Sequence, residues 1–380
     1  MVGIIQEQHP DRARLFMQWK QMGWPILVDS LNLLGVAVVP ITLAIDEYGI
    51  IRAINPEREN IEKSFLNQTY LKPPEQAVTE IKPPDLKKLK AGATAGTAFS
   101  WRSYADALVV WGAENQLDEA MAAYEKAIGL DSRHSPTYFR LGVAYRKRYE
   151  SGVRRADDFQ RAVEYWTKAL EMDPNQYIWR RRIQQYGPRL DKPYPFYDWV
   201  PTARQEIQAR GEKPAPLLVE PGGAEFASPL NAFVKDQPVR QQPDKGGRVL
   251  RDKEGFIQAE TALVPVAVAP GESLRVHLAF RPNLQRKAHW NNEVEDLVLW
   301  VDPPSGWEVN SRYVSVPNPK AAVSQETRNV EFELKCPEKS PTDSVKIPSY
   351  ALYYVCEDVN GTCLYRRQDV VLEVQVKSAP

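Results

Sequence analysis

Two cysteines near the end of the chain, Cys356 and Cys363, combine a reactive residue type with a spacing that suits a β-hairpin. Between them lies Asn360-Gly361, a pair that strongly favours a hairpin turn. The residues on either side, 349–355 and 370–376, have the composition or alternation of paired strands. A four-residue loop would place the cysteines directly opposite each other, whereas a two-residue loop would offset them diagonally. Either loop brings the two sulfur atoms within reach of a disulfide.

The chemistry that such a pair offers is thiol–disulfide exchange, and the alternative is a structural staple. Only three cysteines occur in 380 residues, so the chain is not a disulfide-dense scaffold. Closing so short a loop restricts the unfolded chain little, which favours exchange. The third cysteine, Cys336, is predicted to be a semi-buried free thiol, with a resolving role as the alternative.

The overall composition excludes several classes of function. Basic and acidic residues are balanced at 49 each, so no nucleic-acid partner is predicted. The longest apolar run, 33–45, contains a proline and is too short to span a membrane. The four histidines, His9, His134, His277 and His289, lack metal-ligand spacing, so we predict no metal and no cofactor. The chain is too long for one ordinary core, which predicts two or three domains.

Residues 1–70 have the pattern of an α/β unit. Short apolar runs at 2–5 and 24–28 predict strands around a helix at 10–22, and 30–36 predicts a helical turn. Two further strands, 41–45 and 50–54, are joined by a turn at 46–49.

Residues 38–42 (Val-Val-Pro-Ile-Thr), followed by the hairpin with Asp46 and Gly49, resemble the second half of a thioredoxin-like or peroxiredoxin-like (AhpC/TSA, redoxin) domain. The resemblance implies a cis peptide bond at Pro40, with the proline facing redox cysteines. The Cys-x-x-Cys part of that family is missing from this segment, which cannot perform dithiol chemistry by itself. We therefore expect an upstream segment or a partner to supply that part.

Residues 101–190 show helical, repeated spacing. Large residues such as Tyr104, Leu108 and Trp166 alternate with small alanines, and these spacings are similar to those of tetratricopeptide repeats. Two helical hairpins, with extra residues near 149–157, and a capping helix at 179–187 are predicted. Such repeats normally bind a peptide or a protein, and the alternative is that they only space or dimerise their neighbours. Proline-rich residues 71–100 and aromatic then Pro/Gly-rich residues 191–248 are predicted linkers, with 193–199 packing back onto the cap.

Residues 249–377 predict an all-β domain of seven or eight strands, a β-sandwich. Pro270-Gly271, His289-Trp290, the turn at 304–307 and the cysteine hairpin together resemble the immunoglobulin-like N-terminal domain of DsbD-type thiol-disulfide interchange proteins. The resemblance implies that Cys356 and Cys363 relay electrons between dithiol partners. Arg366 or Arg367 could favour a thiolate, but because strand residues alternate faces, at most one of them can help.

The sequence therefore predicts a multidomain protein: a partial thioredoxin-like segment, tetratricopeptide-like hairpins and an immunoglobulin-like sandwich. The predicted function is thiol–disulfide exchange with a thioredoxin-like or other dithiol protein. The alternative is a non-catalytic protein-binding scaffold with a structural disulfide. A persistent disulfide and the DsbD resemblance predict an extracytoplasmic, periplasmic location, with the cytoplasm as the alternative.

Overall fold

The computed structural model describes residues 1–72, 82–189, 198–222, 225, 233, 240–339, 343–357 and 361–377. An α/β segment comes first, a set of helices follows, and the C-terminal part is built from β-strands. Within the described residues, no helix is both long and apolar enough to cross a membrane. The layout confirms a multidomain protein with a helical part followed by a sheet-rich part.

The N-terminal segment contains two separate two-stranded sheets. Strand β1 (Gly3–Ile5) pairs in parallel with β2 (Ile26–Val28), and helix α1 (Pro10–Lys20) connects them. Strands β3 (Leu43–Ile45) and β4 (Ile51–Ile54) form an antiparallel hairpin. The predicted strands and helix are therefore present. The helical turn predicted at 30–36 is wrong, because the Asp29 carboxylate accepts hydrogen bonds from two amides there and Asn32 has a positive φ.

These strands leave large apolar side chains in solvent. Seven strand residues are more than two-fifths exposed: Ile4, Leu27, Val28, Leu43, Ile45, Ile51 and Ile54. Exposed apolar strands of this kind mark a surface that another strand or protein can cover.

Seven helices follow the N-terminal segment in the described residues. They are α2 (Leu86–Thr94), α3 (Ala98–Trp111), α4 (Leu117–Leu130), α5 (Ser135–Tyr149), α6 (Asp158–Met172), α7 (Tyr177–Gln184) and α8 (Trp199–Ala209). The two predicted hairpins are α3–α4 and α5–α6, and α7 is the predicted cap. The extra residues near 149–157 form the loop between α5 and α6.

Two helices lie inside segments that were predicted to be linkers. Helix α2 begins after Asp85, whose carboxylate caps the amides of Lys87 and Lys88. Helix α8 packs on α1 rather than on the cap, since Trp199 stacks on Trp19 with 5.7 Å between ring centroids. Residues 73–81, 191–197, 223–224, 226–232 and 234–239 of those segments lie outside the described residues.

The second hairpin depends on a close helix approach at Gly142. A Cβ atom at this position would lie 2.6 Å from Cδ1 of Trp166 and 2.9 Å from the carbonyl oxygen of Ala162. Trp166 is fully buried and stacks on Tyr186, so it has no room to retreat. Only glycine allows α5 and α6 to approach this closely.

The N-terminal segment lies against α5 and α7. The Arg140 guanidinium on α5 donates to the carbonyl oxygen of Leu31, and Arg182 on α7 donates to the Gln6 carbonyl and the Gln8 side chain. Leu31 is 1 % exposed and belongs to the helical core. One face of the helical repeats is therefore already covered by the protein's own N-terminal segment.

The C-terminal part contains eleven strands in the described residues, more than the seven or eight predicted. They are β5 (Ile257–Val264), β6 (Ala267–Val268), β7 (Ser273–Pro282), β8 (Ala288–Asn291), β9 (Leu297–Val301), β10 (Glu308–Val309), β11 (Tyr313–Val316), β12 (Val323–Ser324), β13 (Arg328–Lys335), β14 (Ser344–Glu357) and β15 (Cys363–Val376). The count differs because three of them, β6, β10 and β12, are only two residues long.

These strands form two sheets around a shared apolar core. One sheet has the order β10-β13-β7-β5, and the other has β11-β9-β14-β15-β6, with β8 paired to β14. Residues such as Phe280 and Phe332 from the first sheet pack with Trp290, Tyr353 and Val355 from the second. The predicted all-β domain is confirmed, while its immunoglobulin-like identity stays a prediction.

Buried ionic contacts join the helical and β parts. Arg154, in the loop before α6, pairs with Glu260 on β5. His277 on β7 lies between the Glu331 carboxylate, 3.0 Å from Nδ1, and the carbonyl oxygen of Tyr186, 2.7 Å from Nε2. His277 therefore clasps the end of the helical repeats to the sheet.

Replacing Gly142 with Ala should destabilise the protein by about 1–3 kcal/mol, because the added methyl group clashes with buried Trp166 and with backbone. Gly129→Ala is the matched control, since a Cβ there meets nothing within 4 Å. The control should be neutral or should stabilise by up to about 1 kcal/mol. Urea unfolding measures both changes, and equal effects would contradict the close-approach argument.

The clasp should weaken in acid. Partial burial opposes the Glu331 charge, but His277 and Arg275 outweigh it and hold the pKa of Glu331 far below its usual range. A lowered carboxyl pKa stabilises the folded state above the unfolded value of about 4.3, and this contribution is lost as the pH falls towards the folded value. Glu331→Gln should therefore reduce stability near pH 7, by at most about 1 kcal/mol since Glu331 is 40 % exposed.

The difference between wild type and Glu331→Gln should shrink as the pH falls below about 4. Urea unfolding at several pH values measures it. Glu308→Gln on neighbouring β10, whose partner Lys335 lies at 3.7 Å on the surface, is the control and should change stability little. A difference that stays constant with pH would show that Glu331 does not act through its charge.

Candidate functional site

The two cysteines predicted to react form a disulfide across β14 and β15. The antiparallel register pairs Cys356 directly with Cys363, and their Cα atoms are 4.0 Å apart. Of the two arrangements that the sequence allowed, the pair is therefore directly opposed rather than diagonal. Turn residues 358–360, including Asn360, lie outside the described residues.

The two sulfur-bearing residues differ in their access to solvent. Cys356 belongs to a strand with neighbours on both sides and is only 2 % exposed, whereas Cys363 is the first residue of β15 and is exposed. Attack on a disulfide requires approach to one sulfur atom in line with the bond. The exposed Cys363 is therefore the sulfur that an incoming thiolate can reach.

The disulfide lies on the face of the sheet that points away from the apolar core. Tyr353 and Val355, which alternate with Cys356 along β14, belong to the core, so Cys356 points to the other side. On that face Tyr354 stacks on Tyr365, with 4.5 Å between ring centroids. Burial, and then the neighbouring Tyr354 and Glu295, raise the pKa of Tyr365 to about 12. The raised phenol pKa means that this ring contributes no charge near neutral pH.

Neither predicted arginine is available to the disulfide. Arg367 shares a face with Cys363 but lies four residues along the strand, about 13 Å away. Its guanidinium pairs with Asp244 and Asp369. Arg366 alternates to the other face, opposite Tyr353.

The third cysteine and the predicted proline lie elsewhere. Cys336 is 1 % exposed within the core of the β domain, so it is fully rather than partly buried. Burial raises the pKa of its thiol. The Val39–Pro40 peptide bond is cis, and Val39 lines a cavity with Tyr177 and Arg182 of α7. The structure thus sets Val39, the residue before Pro40, beside α7, and the role of Pro40 next to redox cysteines stays a prediction.

A second polar cluster occupies a cavity of about 620 Å³ where the three parts meet. Arg12 pairs there with Glu225, Arg146 with Glu150, and Arg275 with Glu331. Since each of these arginines has its own carboxylate, the cluster is a set of structural ion pairs. No group of side chains suited to hold a metal ion is found among the described residues.

Comparison with known proteins identifies one repeat. A family model of the tetratricopeptide repeat matches residues 112–134, which contain α4. No curated protein matches the chain. The repeat confirms the helical part of the prediction and suggests protein partners.

Solved structures share only low similarity with this chain. Spo0M, a sporulation control protein from Bacillus subtilis, is 13 % identical over 33 % of this chain and 51 % of its own, with a TM-score of 0.18. AvmM, which catalyses macrocyclization in alchivemycin A biosynthesis, is 14 % identical over 35 % of this chain and 98 % of its own, with a TM-score of 0.19. BslA, a bacterial hydrophobin, is 15 % identical over 33 % of this chain and 98 % of its own, with a TM-score of 0.18. The chain spans about half the length of Spo0M.

Sequence reasoning missed one neighbour of the disulfide. On the side of β14 opposite to β15, the register pairs Cys356 with His289 of β8. The two residues are far apart in the sequence, and no local sequence pattern predicts that they pair. The His289-Trp290 dipeptide gave the only signal, since alternation sends Trp290 into the core and His289 to the other face.

Cys336 should be inert towards alkylating reagents in the native protein, because burial both blocks access and raises its thiol pKa. Mass spectrometry after brief alkylation should find Cys336 unmodified in buffer and modified in urea. In the protein reduced by dithiothreitol, Cys363 serves as the positive control and should be labelled under native conditions. Native labelling of Cys336 at a similar rate would contradict its assignment to the core.

Proposed function

We propose that the protein exchanges electrons with a dithiol partner through the Cys356–Cys363 pair. The observation that carries the proposal is the unequal exposure of two directly paired cysteines: Cys363 is open to solvent, and Cys356 is 2 % exposed. An exposed sulfur backed by a sheltered one gives the disulfide a single point of attack and a defined leaving group. The resemblance to DsbD-type proteins supports the same role for the pair.

In the proposed reaction a partner thiolate attacks Sγ of Cys363 and forms a mixed disulfide. The Cys356–Cys363 bond breaks, and its electron pair leaves on Sγ of Cys356, which takes up a proton. The second thiolate of the partner then attacks the partner's own sulfur in the mixed disulfide and releases Cys363. The partner ends as a disulfide and this protein as a dithiol, so two electrons have passed. The reverse sequence would reduce the partner.

The partner that suits this chemistry is a thioredoxin-like or other dithiol protein. A tetratricopeptide repeat supports binding of a protein, although α5 and α7 already hold the N-terminal segment. The first hairpin leaves Phe99, Trp111 and Leu130 more than half exposed, which favours a partner on that part of the repeats. A lasting disulfide favours an extracytoplasmic compartment, which we propose as the location.

The alternative function is a protein-binding scaffold in which the disulfide is structural. The specific observation in its favour is the apolar surface left by β1–β4, where seven strand residues are more than two-fifths exposed. Such a surface can accept an added strand without any redox chemistry. The two functions differ in the reactivity of the disulfide.

Cys356→Ser should leave Cys363 as a free, exposed thiol that traps an oxidised thioredoxin-like protein as a mixed disulfide. Cys363→Ser, the matched control, leaves only the sheltered Cys356 and should form the adduct at least about tenfold more slowly. Both variants carry Cys336→Ala, and non-reducing electrophoresis follows the adduct. Equal rates for the two variants would contradict the assignment of Cys363 as the attacked sulfur.

The reduction potential of the Cys356–Cys363 disulfide distinguishes the exchange function from the scaffold function. Thiol trapping across a series of redox buffers should give a value between about −170 and −280 mV, the range of exchange-active couples. A value below about −300 mV would identify a structural disulfide and leave the scaffold as the better account.

A further inference from the structure

Three residues lie in a row across three adjacent strands at the end of the hairpin. β14 lies between β8 and β15, and Cys356 is paired with His289 on one side and with Cys363 on the other. Directly opposed residues of an antiparallel pair point to the same face, with Cβ atoms about 4.5–5.5 Å apart. The His289 side chain therefore projects from the strand position directly beside Cys356, on the side away from Cys363.

The order of the three strands determines which sulfur atom lies nearer to His289. Cys363 is two strands away from His289, which is about 9–10 Å at the usual strand spacing, whereas Cys356 is one strand away. His289 is half-buried, and no hydrogen bond to its ring is found from any side chain that the structure describes. Its nitrogens are therefore not committed to another partner within the described part of the chain.

Among the residues that pair in register with the two cysteines, His289 is the one that can carry a positive charge. The other titratable or charged side chains close to it, in the sequence or on neighbouring strands, are Lys287, Glu295, Tyr354, Glu357 and Tyr365. Burial and the contact with Glu295 raise the pKa of Tyr354, and the pKa of Tyr365 is about 12, so both phenols stay neutral. Arg367 is held by Asp244 and Asp369 farther along β15.

We propose that His289 stabilises the Cys356 thiolate that leaves when Cys363 is attacked, and that it supplies the proton this sulfur takes up. The inference rests on the proposed exchange function and names the group that acts on the leaving sulfur. A protonated imidazole beside Cys356 favours the thiolate electrostatically, and transfer of its proton yields a neutral histidine and a neutral thiol. In the reverse reaction the neutral imidazole accepts that proton before Cys356 attacks the mixed disulfide.

The decisive experiment compares His289→Gln with the wild type, both in full-length protein carrying Cys336→Ala. Reduction of the disulfide by dithiothreitol is measured between pH 5 and 9 and expressed per dithiothreitol thiolate. We expect the variant to react about threefold more slowly near neutral pH, because a change of one unit in the leaving thiol's pKa is only partly expressed in the exchange rate. Its rate should also lose the pH dependence that the histidine confers on the wild type.

Two further variants make the result specific. His289→Lys restores a cation on the same strand and should recover part of the rate, and it also serves if the Gln variant fails to fold. His134→Gln, which changes a histidine at the start of α5, should leave the pH profile unchanged. In the reduced protein, the ultraviolet absorbance of the Cys356 thiolate should appear at higher pH in His289→Gln, a shift that a purely structural role would not produce.

The outcomes separate the inference from the function on which it rests. If wild type and His289→Gln share one rate and one pH profile while both exchange, the histidine has no such role and the exchange function stands. If the wild-type disulfide does not react with dithiothreitol in the native protein, both the exchange function and the role of His289 are wrong.

Discussion

The need to pair buried arginines holds the parts of this protein together. A guanidinium removed from water is strongly unfavourable unless carboxylates or carbonyl oxygens satisfy it. Arg12 and Arg182 are each 2 % exposed, and their partners come from distant segments: Glu225 for the first, and Gln6 and Gln8 for the second. Separating the N-terminal segment from the helices would either leave these guanidinium groups buried without these partners or expose the junction to water. The segments therefore depend on each other for stability.

This dependence changes how the helical repeats should be understood. Repeats of this type usually present one face to a peptide, yet here α5 and α7 hold the protein's own N-terminal segment, and α6 packs on the β domain. The Gln160 side chain on α6 even accepts a hydrogen bond from the amide of Leu263 on β5. Much of the repeat surface is thus used to join flanking parts. Within the part of the chain that the structure describes, the first hairpin keeps exposed apolar side chains at Phe99, Trp111 and Leu130.

Local patterns in the sequence predicted the elements well, and long-range partners poorly. Helical spacing gave α3 to α7, and the Asn-Gly dipeptide between strand-like runs gave the β14–β15 pair, because both signals lie within a few residues. Helices α2 and α8 were missed because prolines and glycines dominate their surroundings, while their own stability comes from the Asp85 cap and from Trp199 stacking on Trp19. The pairing of Cys356 with His289 joins residues 67 positions apart, which no local pattern encodes.

The position of the disulfide on the outer face also explains how one domain can be both stable and reactive. Cys356 and Cys363 alternate with Val355 and Leu364, which pack against the core, so the sulfur atoms lie on the far side of the sheet. Opening the disulfide leaves the thirteen paired positions of β14 and β15 and the apolar contacts beneath them in place. Cys336 shows the opposite arrangement, since its thiol lies inside the core and any reaction there would need the sheets to separate. Reactivity can therefore be confined to the hairpin end, where the histidine lies, while the core below remains closed.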